Sequence, residues 1–484
     1  MKTPERGYPR MIDTDTTGGS QKFMNNVMHN VPFDALEIGM EAERVRTLMA
    51  EDLYVFANSS GNLNPMHLPK EDGDGDGVPE SVAPSMWIAS LISAVLGCNL
   101  PGPGTLYHSQ TLRFLGRAHA GDELTCKVRL VAKGDNRLVR FDTWVEAADG
   151  TRVLEGEAEV FAPEKPMSFD PADVPGLTVQ QHRHFDHLLA LAEPLPAIPT
   201  AVVAPEKGDA LAGAILAAEH TIIDPILIGH ADRIAEAAAE EGIDLAPYRV
   251  IDVRDHRLAA QEAVRMVLDK QAAAVMKGHL HTDILLGEIV KREGGLRKGG
   301  RRLSHVFVMD VPGLDHLLLV TDAAINISPD LQTKADIIQN AIDLALTLGM
   351  EEPKVGVLSA VEVVNPAIPS TLDAAILSKM ADRGQITGGL VDGPLAMDNA
   401  INLAAATTKG IRSLVAGRAE ILVAPNMEAG NMLAKELSFL AHAEAGGIVM
   451  GAKCPIILTS RADDEKARLA SCAIAALNAL GGAE

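Results

Sequence analysis

The sequence predicts two folds in series: an α+β domain in which an antiparallel meander wraps a buried helix, then an α/β domain built on a largely parallel sheet. Three observations carry that expectation. The chain has 484 residues, 47% of them apolar, whereas a single core stops growing at about 250–300 residues. An apolar helix pattern followed by period-two segments occupies residues 31–162. From Ala197 onward, short β-branched runs alternate with Ala-rich helical stretches.

Residues 1–30 are polar and rich in Gly, Thr and Asn, which predicts a mobile lead-in. Between Pro84 and Gly97 the apolar positions Met86, Trp87, Leu91, Ile92, Val95 and Leu96 cover most of a helix surface, with Pro84 suited to the first turn. A helix buried nearly all round is expected. Strand patterns follow, separated by turns at Gly121-Asp122, Gly134-Asp135 and Asp149-Gly150. Leu124, Cys126, Val128 and Leu130 share one face. Leu154, Gly156, Ala158 and Val160 share another, leaving Glu155, Glu157 and Glu159 for solvent. Pro163, Pro166, Pro171 and Pro175 punctuate residues 163–184, which read as a linker to a second domain over residues 185–484. There the runs AVVAP, PILIG, RVIDV, AAVMKG, HVFVMDV, LLLVTD, KVGVLSA, ILVAPN and PIILTS are the expected strands. Ligands of such sheets bind beyond the carboxyl ends of the strands. Lys277, Asp322, Ser359 and Ser460-Arg461, which end four of the runs, are therefore the first candidates.

A net charge of −22 repels nucleic acid and anionic membrane surfaces, so neither is an expected partner, and an anionic ligand needs a local basic cluster. Lys291–Arg302, KREGGLRKGGRR, is such a cluster: six basic residues in twelve, with four glycines. Arginine forks match phosphate oxygens and glycine lets backbone amides approach them; taken alone, the string equally suits a solvated loop. It lacks the GxxxxGK[ST] pattern of nucleotide hydrolases. ILTSRADDEK, Ile457 to Lys466, ends a strand on a hydroxyl, an arginine and carboxylates. These groups suit acyl or phosphoryl chemistry, or a helix start capped by Ser460 or Asp463. Cys98, Cys126, Cys454 and Cys472 are scattered, which predicts neither a disulfide framework nor structural zinc and fits a reducing cytoplasm. His279, His281 and Asp283 have ligand-like spacing, but HxH is weakly specific and no metal is expected. MKTPERGYPR has no apolar core of a signal peptide, and no run reaches the length of a membrane span.

The ordered series MKGHLHTDILL, RRLSHVFVMDVPG, VTDAAINISPD, LSAVEVVNPAIPSTLDAAIL, MADRGQITGGLVDGPLAMDNAI, PNMEAGNMLAKELSFLA and PIILTSRADD, spread over residues 197–484, resembles the phosphate acetyltransferase/phosphate butyryltransferase family. The resemblance implies reversible transfer of a short acyl group, acetyl first and butyryl as the alternative, between coenzyme A and phosphate. It implies no tightly bound cofactor, with coenzyme A as a substrate, and two α/β subdomains with isopropylmalate dehydrogenase-like layering and the site in the cleft between them. A homo-oligomer is expected by the same analogy. Ser460 and Arg461 match the family's substrate-binding pair. The family's proposed aspartate base falls a few residues beyond Asp463 and Asp464, where this chain has Lys466-Ala467, and Asp463 is preferred. Lys277, Thr282, Asp322 and Asn326 join the substrate set. The family's arginine after Thr-x-x-x-Leu is absent from Thr282–Leu286, which shifts the expected phosphate contact to Arg297, Arg301 or Arg302.

Residues 35–162, with LPGPGTLYHSQTLRFLGRAHAGDELTCKV and the string N-x-N-P-x-H, resemble the MaoC-like, R-specific enoyl-CoA hydratases, a hotdog fold. Active members carry D-x-N-P-x-H and a His-Gly-Met helix start. Here those places read Asn62-Leu63-Asn64-Pro65-Met66-His67 and Ala83-Pro84-Ser85-Met86. An amide cannot act as a base near neutral pH, and Pro84 removes an amide donor. The expectation is a degenerate hydratase-like site at Asn62, His67 and Ser85. The rival readings are a working hydratase, a non-catalytic acyl-CoA sensor and, from fold analogy, a metal-dependent dehydrogenase. The DGDGDG segment fits the first calcium-loop positions at Asp72, Asp74, Asp76 and Gly77, but Ala83 stands where the bidentate glutamate is needed, so calcium is not expected.

Overall fold

The computed structural model describes residues 27–72, 79, 81–177, 179–180, 182–458 and 465–481, in two compact units, Met1–Val179 and Gln180–Glu484. Unit one contains, in order, β1 (Met28–His29), β2 (Glu41–Thr47), α1 (Ala50–Ser60), α2 (Ser85–Cys98), β3 (Leu106–Gln110), β4 (Arg113–Phe114), β5 (Glu123–Lys133), β6 (Leu138–Ala147), β7 (Arg152–Phe161) and β8 (Ser168–Phe169). Its sheet runs β2-β5-β6-β7-β3, all antiparallel, with β4 also on β7. The predicted inward faces form its core: Leu124, Cys126, Val128 and Leu130 pack with Leu154, Ala158 and Val160 against α2. This is the helix-in-meander architecture of a hotdog domain.

The core-facing stripe of α2 is narrower than its sequence suggested. Trp87, Ile88, Ile92, Val95 and Leu96 are buried, whereas Met86 is 58% exposed. Met86 lies on the helical line of Ser90 and Ser93, both exposed, because the sheet covers one side of the helix only. Gly156 holds the register of β7. A Cβ there would lie 1.8 Å from the Thr111 carbonyl oxygen, so only glycine lets the connection between β3 and β4 hug the strand. The Pro-rich stretch is also more than a connection. β8 pairs with β1, and Asn30 bonds Met167 in both directions, at 3.2 and 2.8 Å.

Unit two continues with α3 (Arg183–Ala192), β9 (Ile198–Val203), α4 (Gly208–Glu219), β10 (Ile223–Gly229), α5 (Ala231–Glu241), β11 (Arg249–Asp252), α6 (His256–Leu268), β12 (Ala274–Lys277) and α7 (Thr282–Ile289). Next come β13 (Ser304–Asp310), β14 (Leu318–Thr321), α8 (Leu331–Thr347), β15 (Lys354–Leu358), α9 (Pro369–Asp382) and β16 (Leu390–Leu395). Last are α10 (Met397–Ile401), α11 (Leu403–Thr408), β17 (Ile421–Val423), α12 (Met427–Phe439), β18 (Glu444–Met450), β19 (Ile456–Ile457) and α13 (Glu465–Gly481). The strands form one 11-stranded sheet in the order β11-β10-β9-β12-β19-β18-β13-β14-β17-β15-β16. Most are buried on both faces, which is why they read as continuous apolar runs.

The sheet has two parallel wings. Strands β11, β10, β9, β12 and β19 run together, as do β14, β17, β15 and β16. Between them β18 and β13 pair antiparallel to each other and to their outer neighbours, so the wings run in opposite directions. One face carries a single continuous core under α3, α4, α5, α8, α9 and α13. The other carries two separate cores, under α6 and α7 on the first wing and under α10, α11 and α12 on the second. The interruption falls over β13 and β18. Among the described residues no helix is long and apolar enough to cross a membrane.

Candidate functional site

Opposed wings divide the predicted site residues between two edges of the sheet. Lys277 ends β12, is buried, and donates from Nζ to the Gly278 carbonyl at 3.3 Å. Gly278 is needed there because a Cβ would lie 2.4 Å from the Ala204 carbonyl oxygen, and its amide bonds Val203 at 2.8 Å. Thr282 opens α7, exposed, immediately after His281. Strand β19 pairs beside β12, Met276 opposite Ile457, so the chain leaves the sheet at this same edge toward residues 459–464. Ser460, Arg461, Asp463 and Asp464 lie outside the described residues. Where the chain resumes, Lys466 pairs with Glu444 at 2.9 Å, at the start of β18 and thus at the same edge.

The same edge holds a group that sequence reasoning missed. Glu206 follows β9 with its side chain 2% exposed, and its oxygens accept from the His230 amide at 3.1 Å, Arg233 Nη1 at 3.2 Å and His256 Nε2 at 3.2 Å. Burial would raise its pKa, but these donors outweigh burial and hold the carboxyl below the usual carboxylate range. The signal was present: Glu206 and His256 follow the AVVAP and RVIDV runs as Lys277 follows its own.

Asp322, Asn326 and Ser359 come to the opposite edge, since β14 and β15 point the other way. The seven residues of β13 separate the two edges by about 20 Å. Asp322 is 2% exposed. Its carboxylate accepts from the amides of His305, Ala324, Ile325 and Asn326 at 3.0–3.4 Å, and from Asn326 Nδ2 at 2.5 Å. Asn326 Nδ2 also donates to Leu303 O at 2.8 Å. These bonds give Asp322 the work of folding the loop that follows β14. Helix α12 packs on that loop: a Cβ at Gly430 would lie 2.5 Å from the Asp322 carbonyl, and Asn431 Nδ2 donates to Ala323 O at 3.1 Å. Ser359 shares a hydrogen bond with Ser370, at 2.8 Å between hydroxyl oxygens.

His305, beside Asp322, lies where the two outer cores part. It is 2% exposed, its ring meets Phe307 edge-on at 4.4 Å, and its Nδ1 has no partner. A Cβ at Gly447 would lie 2.8 Å from the imidazole. Burial pushes the His305 pKa down to about 4 against the upward pull of Asp322, so the ring is neutral near pH 7.

The basic cluster does not converge on Lys277 and Thr282. Arg301 turns toward α8, where Nη1 meets Asp343 at 2.5 Å and Asn340 at 3.5 Å. Arg302 is exposed, with its amide on Asp336 at 3.1 Å and its carbonyl bonded by Asn340 Nδ2 at 2.9 Å. Arg297, also exposed, pairs through its backbone with Ala452. All three lie near the edge where β13 begins and β18 ends, because the segment after α7 runs back along the strands before entering β13. Among the described residues no three His, Cys, Asp or Glu side chains are grouped to hold a metal ion.

In unit one, the Asn62 side chain accepts from the Asn64 amide at 3.3 Å, and the Asn64 side chain caps the turn of Pro65–His67. His67 Nδ1 lies 2.9 Å from the Val82 carbonyl. A carbonyl only accepts, so Nδ1 carries the proton and a neutral ring leaves Nε2 as its basic nitrogen. Ser85 begins α2 and is exposed. Asp74, Asp76 and Gly77 lie outside the described residues.

Residues 254–476 match the family described as phosphate acetyl/butaryl transferase. A phosphate acetyltransferase of Rhizobium meliloti is 54% identical over 299 residues, 62% of this chain and 94% of the relative. A phosphate butyryltransferase of Clostridium beijerinckii is 41% identical over 295 residues, 61% of this chain and 97% of the relative. Among solved structures, a branched-chain phosphotransacylase from Enterococcus faecalis V583 superposes with a TM-score of 0.52 at 31% identity, covering 58% of this chain and 99% of its own. An R-hydratase from Pseudomonas aeruginosa is 36% identical over 32% of this chain and 100% of its own, with a TM-score of 0.31 that gives the superposition no weight. Through its second unit, the chain belongs to the phosphate acetyl/butaryl transferase family.

Proposed function

We propose that the protein is a phosphate acetyltransferase, interconverting acetyl-CoA plus phosphate with acetyl phosphate plus CoA. The observation that carries this is the 54% identity to an acetyltransferase over 94% of that relative, against 41% for a butyryltransferase. In the CoA-acylating direction the thiol loses its proton, its sulfur bonds to the acyl carbon, and the carbon–oxygen bond to phosphate breaks. Ser460 orients the acyl phosphate, Arg461 neutralises the oxyanion and departing phosphate, and Asp463 accepts the thiol proton. Lys277 and Thr282 serve the same edge of the sheet. Asp322 and Asn326 act on the substrate only through the loop they build. Support for isopropylmalate dehydrogenase-like layering comes from the two opposed wings. The same reading has domains at 31–162 and 185–484 joined by 163–184, and a cytoplasmic homo-oligomer that uses CoA as substrate with no tightly bound cofactor. The hotdog unit is a hydratase-like scaffold without a working base at Asn62.

Phosphate-dependent release of CoA thiol, followed by thiol titration, tests the activity. Release from acetyl-CoA should exceed that from butyryl-CoA at fixed phosphate. Ser460→Ala and Arg461→Ala should each lower kcat/KM by roughly 100-fold or more. Absence of phosphate-dependent release would reject the reading, and a preference for butyryl-CoA would move it to the butyryltransferase.

A further inference from the structure

A cavity of about 780 Å³ opens at the edge where β9, β12 and β19 begin, the far end of these strands from Lys277 and Thr282. Its floor is partly apolar, from Val267, Ala273, Met450 and Pro455. Its rim carries Lys270, Lys298, Lys453 and Arg301 against one carboxylate, Asp343. Arg301 is paired with Asp343. The three lysines have no carboxylate within 4.0 Å among the described residues, although the chain as a whole carries a charge of −22. Three cations facing one cavity in so acidic a protein make a local positive field that only an anion would complement.

The backbone fixes these lysines in place. Lys270 occupies a left-handed position, φ +59°, in the turn that ends α6, with its amide on Val267 O at 3.1 Å. Lys298 and Lys453 ride on two segments tied to each other: the Lys453 amide bonds Leu296 O at 2.8 Å and the Lys298 amide bonds Gly451 O at 3.3 Å. With the three backbone positions fixed, only the lysine side chains have to order on binding.

We infer that this cavity is a second binding site, separate from the acyl-transfer site, for an organic polyphosphate of the nucleoside triphosphate class. The lysines would hold the phosphates and the apolar floor the base and sugar. The volume lies within the roughly 300–1,000 Å³ of ordinary small-ligand sites.

The test measures magnesium-free ATP binding to the full chain by calorimetry, with inorganic tripolyphosphate as a second probe. One ATP per chain should bind, more tightly than tripolyphosphate. Lys270→Glu combined with Lys453→Glu should weaken ATP at least tenfold, and Lys270→Gln or Lys453→Gln alone about threefold. Ser460→Ala combined with Arg461→Ala should leave ATP affinity within twofold. Both lysines are exposed, so the thermal midpoints of these variants should match the parent. No ATP binding, affinity unchanged in the lysine variants, affinity lost in the Ser460/Arg461 variant, or tripolyphosphate binding as tightly as ATP would each overturn the assignment.

Discussion

Asp322 shows how a residue singled out by its place after a strand also holds a loop of the fold together. Removing its carboxylate strands the buried donors of the loop after β14. Asn is no rescue, because it turns one acceptor oxygen into a donor that faces either backbone amides or the amides of Asn326. Asp322→Ala and Asp322→Asn should each cost roughly 3 kcal/mol or more, read as a lowered urea midpoint at constant slope; a loss under about 1 kcal/mol would contradict the loop-building role. His305 makes a second prediction. Its folded pKa is depressed from 6.5 to about 4, so between those values the unfolded chain binds the extra proton. Stability should fall as pH drops through 6.5 and level off below about 4, by roughly 3 kcal/mol in total. Subtracting His305→Asn from the parent, midpoint by midpoint from pH 7 to 4, should isolate that slope; a flat difference would sink the assignment. In unit one, His67 already has its Nδ1 proton held by Val82, so the departure at Asn62 can be tested by itself. Asn62→Asp should create or raise crotonyl-CoA hydration, and His67→Ala in that background should remove the gain. Hydration by the natural protein at the same rate would mean that Asn62 is no defect.

The helices and strands were legible where the pattern was long and one-sided. The alternating faces of β5 and β7 were plain because period two places every second side chain on one face. The α2 stripe was read too broadly because hydrophobicity does not tell which side the sheet covers, and Met86 lies on the uncovered one. Close backbone approach was also invisible: Gly156 read as one more inward position, although only the fold shows Thr111 lying against it. Gly156→Ala should destabilise by roughly 1–3 kcal/mol, seen as a lower calorimetric midpoint. Because unit one has its own core, the shift should be confined to one of two thermal transitions. An unchanged midpoint would mean the strand yields at no cost.

For the whole molecule, the sequence by itself determined the two fold types and which residue types stand at Ser460-Arg461 and Asn62, because periodicity and residue type are local properties. It also placed Lys277 at the end of one strand and Asp322 just after another. Only the tertiary structure decided which of these residues share an edge. An antiparallel pair, β13 and β18, inserted between two parallel wings reverses one wing, so equivalent positions in the sequence end about 20 Å apart. The antiparallel turn from β18 into β19 brings Lys453 to the edge where Lys270 precedes β12 and Lys298 precedes β13, around one cavity. Strand direction depends on partners distant in sequence, and no local pattern encodes it.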